Sequence, residues 1–204
     1  MLLMLLCAGC ATVGGDKRAL MLDSFQSGQE AYAQGDYSQA IKLLTPAAEA
    51  GNPNAQFYLG MIYDFGRGVP DNHEKANEWY QQAAVQGQDD AMYNLAISYQ
   101  LGEGIEQSDE MAVYWLGKSA LTGDRDAIEV LTYDYAESDE YPEAQYTLAQ
   151  LYRTGVALHN DLKLYPSEDD NAEIAPDQEE YEYWLIRAAE NGHAQAVVEL
   201  ENLR

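Results

Sequence analysis

The sequence predicts an all-α chain: a solenoid of antiparallel helix pairs, about ten helices, stacked repeat on repeat. Two observations carry that prediction. The stretch "AQFYLGMIYDFGRGV" at 55–69 is rewritten 36 residues later as "AMYNLAISYQLGEGI" at 91–105. Within each copy the apolar residues recur at the spacing of one helix face rather than alternating as in a strand.

The register holds over three units. Gly51, Gly87 and Gly123 are 36 residues apart, as are Ala55, Ala91 and Ala127, Leu59, Leu95 and Leu131, and Tyr63, Tyr99 and Tyr135. Ala76 and Trp79 recur as Ala112 and Trp115, and Gly66 and Gly68 as Gly102 and Gly104. A period of this size marks a repeat architecture. Each unit reads as a Trp-bearing helix followed by a Leu/Tyr-bearing one. In "EKANEWYQQAAVQG", Ala76, Trp79, Tyr80, Ala83 and Ala84 make one apolar stripe, and Gly87 closes the helix. Gly51, Gly123 and Gly192 take the same place. Asn52 and Asp124 are placed to cap the next helix, with Pro53 at a first helical position.

The order alanine, Trp, paired alanines, glycine, then alanine, Leu, Tyr and G-x-G resembles a Sel1-like repeat, a longer relative of the tetratricopeptide repeat. The resemblance covers about Gly35 to Arg204. It implies an α/α superhelical solenoid used mainly for protein–protein binding, with its first helices lining a concave face. Residues 21–50 look more like an ordinary tetratricopeptide unit and are expected to cap the N-terminal side; the Sel1-like repeats then occupy 51–204. "AQYTLAQLYRTG" begins at Ala144, only 17 residues after Ala127, so a Trp-bearing helix is missing there. The Ala127 helix is expected to pair with the Ala144 helix instead. Trp184 follows Gly155 by 29 positions where Trp79 follows Gly66 by 13, which places an acidic loop insertion near 157–178.

Residues 1–10, "MLLMLLCAGC", resemble the end of a bacterial lipoprotein signal segment, with Ala8, Gly9 and Cys10 in lipobox order. The family has Leu where this chain has Cys7, and the basic region is missing, so the true start is expected upstream. The resemblance implies lipidation (palmitate included) at Cys10, removal of Cys7 with the leader, and a linker over 11–20. Ala11 after the cysteine implies sorting to the outer membrane, with the chain on its periplasmic side and the lipid anchor as its sole membrane contact.

The charge is −24, from 11 basic and 35 acidic residues. Such a surface repels phosphate backbones and excludes nucleic acid as a partner, while a basic protein suits it. The three histidines lack metal-ligand spacing, "SEDDNAE" lacks the glycine and ligand alternation of an EF-hand loop, and no nucleophile motif occurs. No enzyme activity, metal, cofactor or small-molecule substrate is therefore expected. His73 and His193 read as exposed polar residues near helix starts.

Aromatic surface remains. Trp79, Trp115 and Trp184 sit at the family's core position, and Tyr63, Tyr99, Tyr135 and Tyr152 also read as packing. The position before each Trp differs: it is Glu78, Tyr114 and Tyr183. Tyrosine gives contact area at low entropy cost, so Tyr114, Tyr183 and Glu78 are the candidate partner-binding residues of a concave strip. The sequence thus points to a non-catalytic adaptor of the bacterial cell envelope. The alternatives are an assembly factor for exopolysaccharide export, or a carbohydrate-binding or carbohydrate-active lipoprotein.

Overall fold

The computed structural model describes residues 24–155 and 176–203. Every regular element among them is helical. The chain divides into two compact units, Met1–Ala83 and Ala84–Arg204.

The first unit holds α1 (residues 24–33), α2 (Tyr37–Glu49), α3 (Pro53–Asp64) and most of α4 (His73–Ala84). Its core is built from the alanine and leucine stripes: Phe25, Ala40, Leu44, Ala47, Ala55, Leu59 and Ile62 are buried together. Small residues set the helix spacing. A methyl group added at Gly28 in α1 would lie 2.7 Å from the Leu44 side chain of α2, so only glycine permits that approach. Trp79 of α4 packs half-buried against this core. Tyr80 beside it is fully buried, and its hydroxyl donates to Asp64 Oδ2 at 3.2 Å.

The second unit contains α5 (Asp89–Leu101), α6 (Asp109–Ala120), α7 (Arg125–Val130), a π-helical turn (Leu131–Ala136), α8 (Pro142–Thr154), α9 (Gln178–Glu190) and α10 (Ala194–Asn202). The most extensive packing is α5 on α6 and α8 on α9. Trp115 and Trp184 are each only 6% exposed, so both fill the core of this unit.

The expected closing glycines share one backbone conformation: φ is +92° at Gly51, +90° at Gly87, +97° at Gly123 and +94° at Gly192. The residue after each one caps the helix that follows. Asn52 accepts from the Ala55 N–H, Gln88 from Ala91, Asp124 from Asp126 and Ala127, and His193 from Ala196. Each cap satisfies N–H groups that have no partner inside the helix. His193 is therefore not an exposed polar residue, as its sequence position predicted. Its side chain is 12% exposed, its Nδ1 caps α10, and its ring stacks on Tyr146 at 4.1 Å. His73 likewise has a specific partner, with Nδ1 2.8 Å from Asp64 Oδ1.

The irregular region departs from the expected single helix. The backbone is α-helical to Val130 and then winds as a π-helix to Ala136. In an α-helix a residue five places on lies about 140° around the axis. The wider π turn brings both the fourth and fifth residues back to one side, and Leu131, Tyr135 and Ala136 are all buried. This π segment packs against α8, and α8 also touches α6, which takes up the place of the missing helix. Fully buried Gln145 fastens the connection. Its Nε2 donates to the carbonyls of Ala136 (3.2 Å) and Ser138 (2.9 Å), while its Oε1 accepts from Asn191 Nδ2 at 3.0 Å.

Candidate functional site

Tyr114 and Tyr183 occupy equivalent places on α6 and α9. Each ring meets the following Trp edge-to-face, with centroids 5.1 Å apart and planes at 80° in both cases. The Trp rings are buried and hold the tyrosines outward, leaving Tyr114 44% and Tyr183 53% exposed. A cation lies one turn on in both helices: Lys118 Nζ is 5.4 Å from the Tyr114 ring, and Arg187 is 5.5 Å from the Trp184 ring. Glu78 is exposed on α4, in the first unit. It has the same repeat position as the tyrosines but contributes to neither of their hollows.

Each tyrosine lines a hollow of the second unit. Tyr114 lies on a hollow of about 810 Å³ built from the first half of α6, the start of α8 and the α9–α10 turn. Met111, Val113 and Pro142 supply apolar wall, and Glu110, Glu140 and Glu143 supply carboxylates. Tyr183 lies on a hollow of about 390 Å³ with Asp139, Ile186 and Glu190. The hollows adjoin twice along the chain. Asp139 lines one and Glu140 the other, and Asn191 lines one and Gly192 the other.

The walls are fixed by polar contacts that sequence reading did not find. Arg187 donates through Nη2 to the Glu137 carbonyl at 2.6 Å and to Asp139 Oδ1 at 3.2 Å, and Asn191 Nδ2 reaches the same Asp139 oxygen at 3.1 Å. His193 Nε2 meets Glu143 Oε2 at 2.9 Å. Its Nδ1 accepts the Ala196 N–H, so the ring proton sits on Nε2 and is donated to the carboxylate. Tyr141 donates to Asp109 Oδ2 at 3.0 Å and stands edge-on to Tyr135 at 5.0 Å. Burial, with the nearby Asp109, pushes the Tyr135 phenol up to about 12. Burial likewise raises Tyr152 to about 12 and lifts the Glu180 carboxyl. The signal for His193 was present in its place after Gly192, the register of Asn52, Gln88 and Asp124. The Arg187 contacts and the Gln145–Asn191 bond link residues 46 to 50 positions apart and carry no local signature.

A third hollow, of about 310 Å³, sits at the π segment between Tyr93 and Tyr133, with Asp126, Glu129 and Asp134 around it. No group of three or more His, Cys, Asp or Glu side chains among the described residues is placed to hold a metal ion. No helix among them is long and apolar enough to cross a membrane. Cys10 and most of the acidic insertion expected near 157–178, its residues 157–175, lie outside the described residues.

A model of the Sel1 repeat matches residues 24–52, 53–88, 89–124, 142–162 and 175–193. The chain belongs to the Sel1 repeat family. The matched units 53–88 and 89–124 each run from an Ala/Leu/Tyr helix to a Trp helix. A Sel1 repeat protein from Oxalobacter formigenes has a similar crystal structure, with TM-score 0.55 and 28% identity over 85% of each chain. So does c5321, a protective antigen of uropathogenic Escherichia coli with an SLR fold, at TM-score 0.55 and 29% identity. That match covers 90% of this chain and 41% of c5321. Chitin synthase regulator SKT5 of Saccharomyces cerevisiae is 41% identical over 56 residues, which are 28% of this chain but only 8% of SKT5. Sel1 repeat proteins bind protein partners, and their fold generally serves as a non-enzymatic scaffold.

Proposed function

We propose that this Sel1 repeat protein is a non-catalytic adaptor that captures a basic protein partner through the second unit. The observation that carries this reading is the pair Tyr114 and Tyr183. Two large rings stand in solvent at the same repeat position, each braced on a buried Trp, with carboxylates beside them. A ring held outward at that geometric cost to apolar burial fits a contact residue better than a packing one. The net charge of −24 favours a cationic partner and speeds its encounter. In this reading the adaptor works at the periplasmic face of the outer membrane, held there by lipid on Cys10.

The test is a crosslinked pull-down from intact native cells, comparing the unaltered chain with Cys10→Ser. The adaptor reading expects one envelope protein recovered reproducibly with the unaltered chain and lost with the unanchored one. Recovery of no protein rejects it. Labelling with palmitate checks the anchor separately, and an unlabelled Cys10 removes the membrane part of the reading. A second reading draws support from the local likeness to a chitin synthase regulator: the captured partner belongs to a machine that makes or exports a polysaccharide. Co-recovery of such a machine distinguishes the two.

A further inference from the structure

We propose that the two adjoining hollows form one trough that takes an extended, basic peptide segment of the partner, with Tyr114 and Tyr183 as its end anchors; this rests on the adaptor reading above. Continuity comes from the chain itself, since the hollows exchange neighbours at Asp139–Glu140 and again at Asn191–Gly192. At the crest of the second junction Gly192 has no side chain, and a methyl group placed on it meets no atom of any residue beyond its two neighbours within 4 Å. Those neighbours are tied down, Asn191 on Asp139 and His193 on Glu143, so a segment crossing there meets fixed side chains rather than mobile ones.

Charge selects the occupant. His193 already engages Glu143, and Arg187 engages Asp139 and Glu137. The carboxylates of Glu110, Glu140 and Glu190 have no ion-pair partner among the described residues. The N-termini of α6, α8 and α10 also face the trough, with Glu110 in the first turn of α6, but a helix end carries only about half a positive charge. Glu143, in the first turn of α8, already offsets one of them. Lys118 stands over the Tyr114 ring and adds one positive charge at that end, but the carboxylates outnumber the cations. The trough is therefore left negative, with apolar wall at Met111, Val113 and Ile186. Lysine or arginine heads fit the carboxylates and rings, and alternate apolar side chains fit the wall. An extended segment presents those two kinds of side chain to opposite sides, whereas a helix about 10 Å wide would have to bridge the crest.

The experiment uses the full chain and a fluorescein-labelled peptide of alternating lysine and leucine, followed by anisotropy at about 0.15 M salt, where distant charges are screened. The trough predicts that Tyr114→Ala with Tyr183→Ala weakens binding by about tenfold or more without changing net charge. Glu110→Gln with Glu140→Gln must also weaken it. Asp126→Asn with Glu129→Gln, an equal charge change at the π-segment hollow, must alter it by less than about twofold. Circular dichroism melts confirm that each variant is folded. Equal losses from both charge pairs, no loss from the tyrosine pair, or no binding at all overturns the trough. A chitin hexasaccharide that binds in place of the peptide, and loses affinity in the tyrosine variant, overturns the peptide occupant. Each of these failures leaves the adaptor reading to be judged by the pull-down, which uses no peptide.

Discussion

Gly60 and Tyr80 make the sharpest test of how the repeats pack. A methyl group added at Gly60 in α3 would lie 2.5 Å from both Cδ1 and Cε1 of the Tyr80 ring in α4. The ring is fully buried and tied to Asp64, so it has nowhere to turn. Overpacking of this kind costs about 1–3 kcal/mol, against roughly 1 kcal/mol gained from replacing glycine inside a helix. Strain on the Tyr80–Asp64 hydrogen bond adds about 1 kcal/mol. Gly60→Ala is therefore expected to destabilise the chain by about 2 kcal/mol, or roughly 1 M in a urea midpoint. The other repeats supply the compensating change. Ala96 and Leu116 hold the corresponding places 36 residues on, and Ala149 and Leu185 hold them in the last repeat; all four are buried. Tyr80→Leu alone should cost about 2–3 kcal/mol through its cavity and the deserted carboxylate. The double variant, which copies the Ala–Leu pair, should be more stable than the sum of the single losses by at least about 1 kcal/mol. Urea melts read by circular dichroism and by tryptophan fluorescence measure the cycle. Gly60→Ala as stable as the native chain, or strictly additive losses, would refute the reasoning.

Other consequences are simpler to read. Trp115→Ala should cost about 3–5 kcal/mol, and Trp115→Phe only about 1–2, because the indole N–H has no hydrogen-bond partner among the described residues; urea melts decide it. Tyr114→Ala should cost only about 1 kcal/mol, from its edge-on contact with Trp115, and a loss of about 3 kcal/mol or more would return Tyr114 to the core. Arg187→Lys should behave like Arg187→Ala and loosen residues 137–139, measured by amide exchange, since lysine lacks the fork that bonds the Glu137 carbonyl and Asp139 together. Tyr135 and Tyr152 bind their protons more tightly folded than unfolded, where a phenol titrates near 10. Their contribution is intact below about pH 10 and is lost as the pH climbs through about 12. A tyrosinate absorbance titration should show most phenols ionising first and this pair last, with unfolding.

The sequence revealed the fold because its signals are local and recur. A glycine that must sit at positive φ, a capping residue directly after it and a Trp eight places before it announce each helix end wherever they appear. The π segment was not legible, because it arises where the repeat loses a helix and the copy rule no longer applies. The candidate surface was half legible. Tyr114 and Tyr183 stood out by position, but the trough also needs Glu110, Glu140 and the Asn191–Gly192 turn, which only packing brings together. Glu78 shared their repeat position and lies in the other unit, where repeat position alone gave no warning.

The most direct test of the account is the crosslinked pull-down from intact cells with Tyr114→Ala and Tyr183→Ala combined. Folded variant protein that no longer recovers the partner captured by the native chain is the predicted result. Undiminished recovery by the folded variant would contradict it and remove partner capture from this surface.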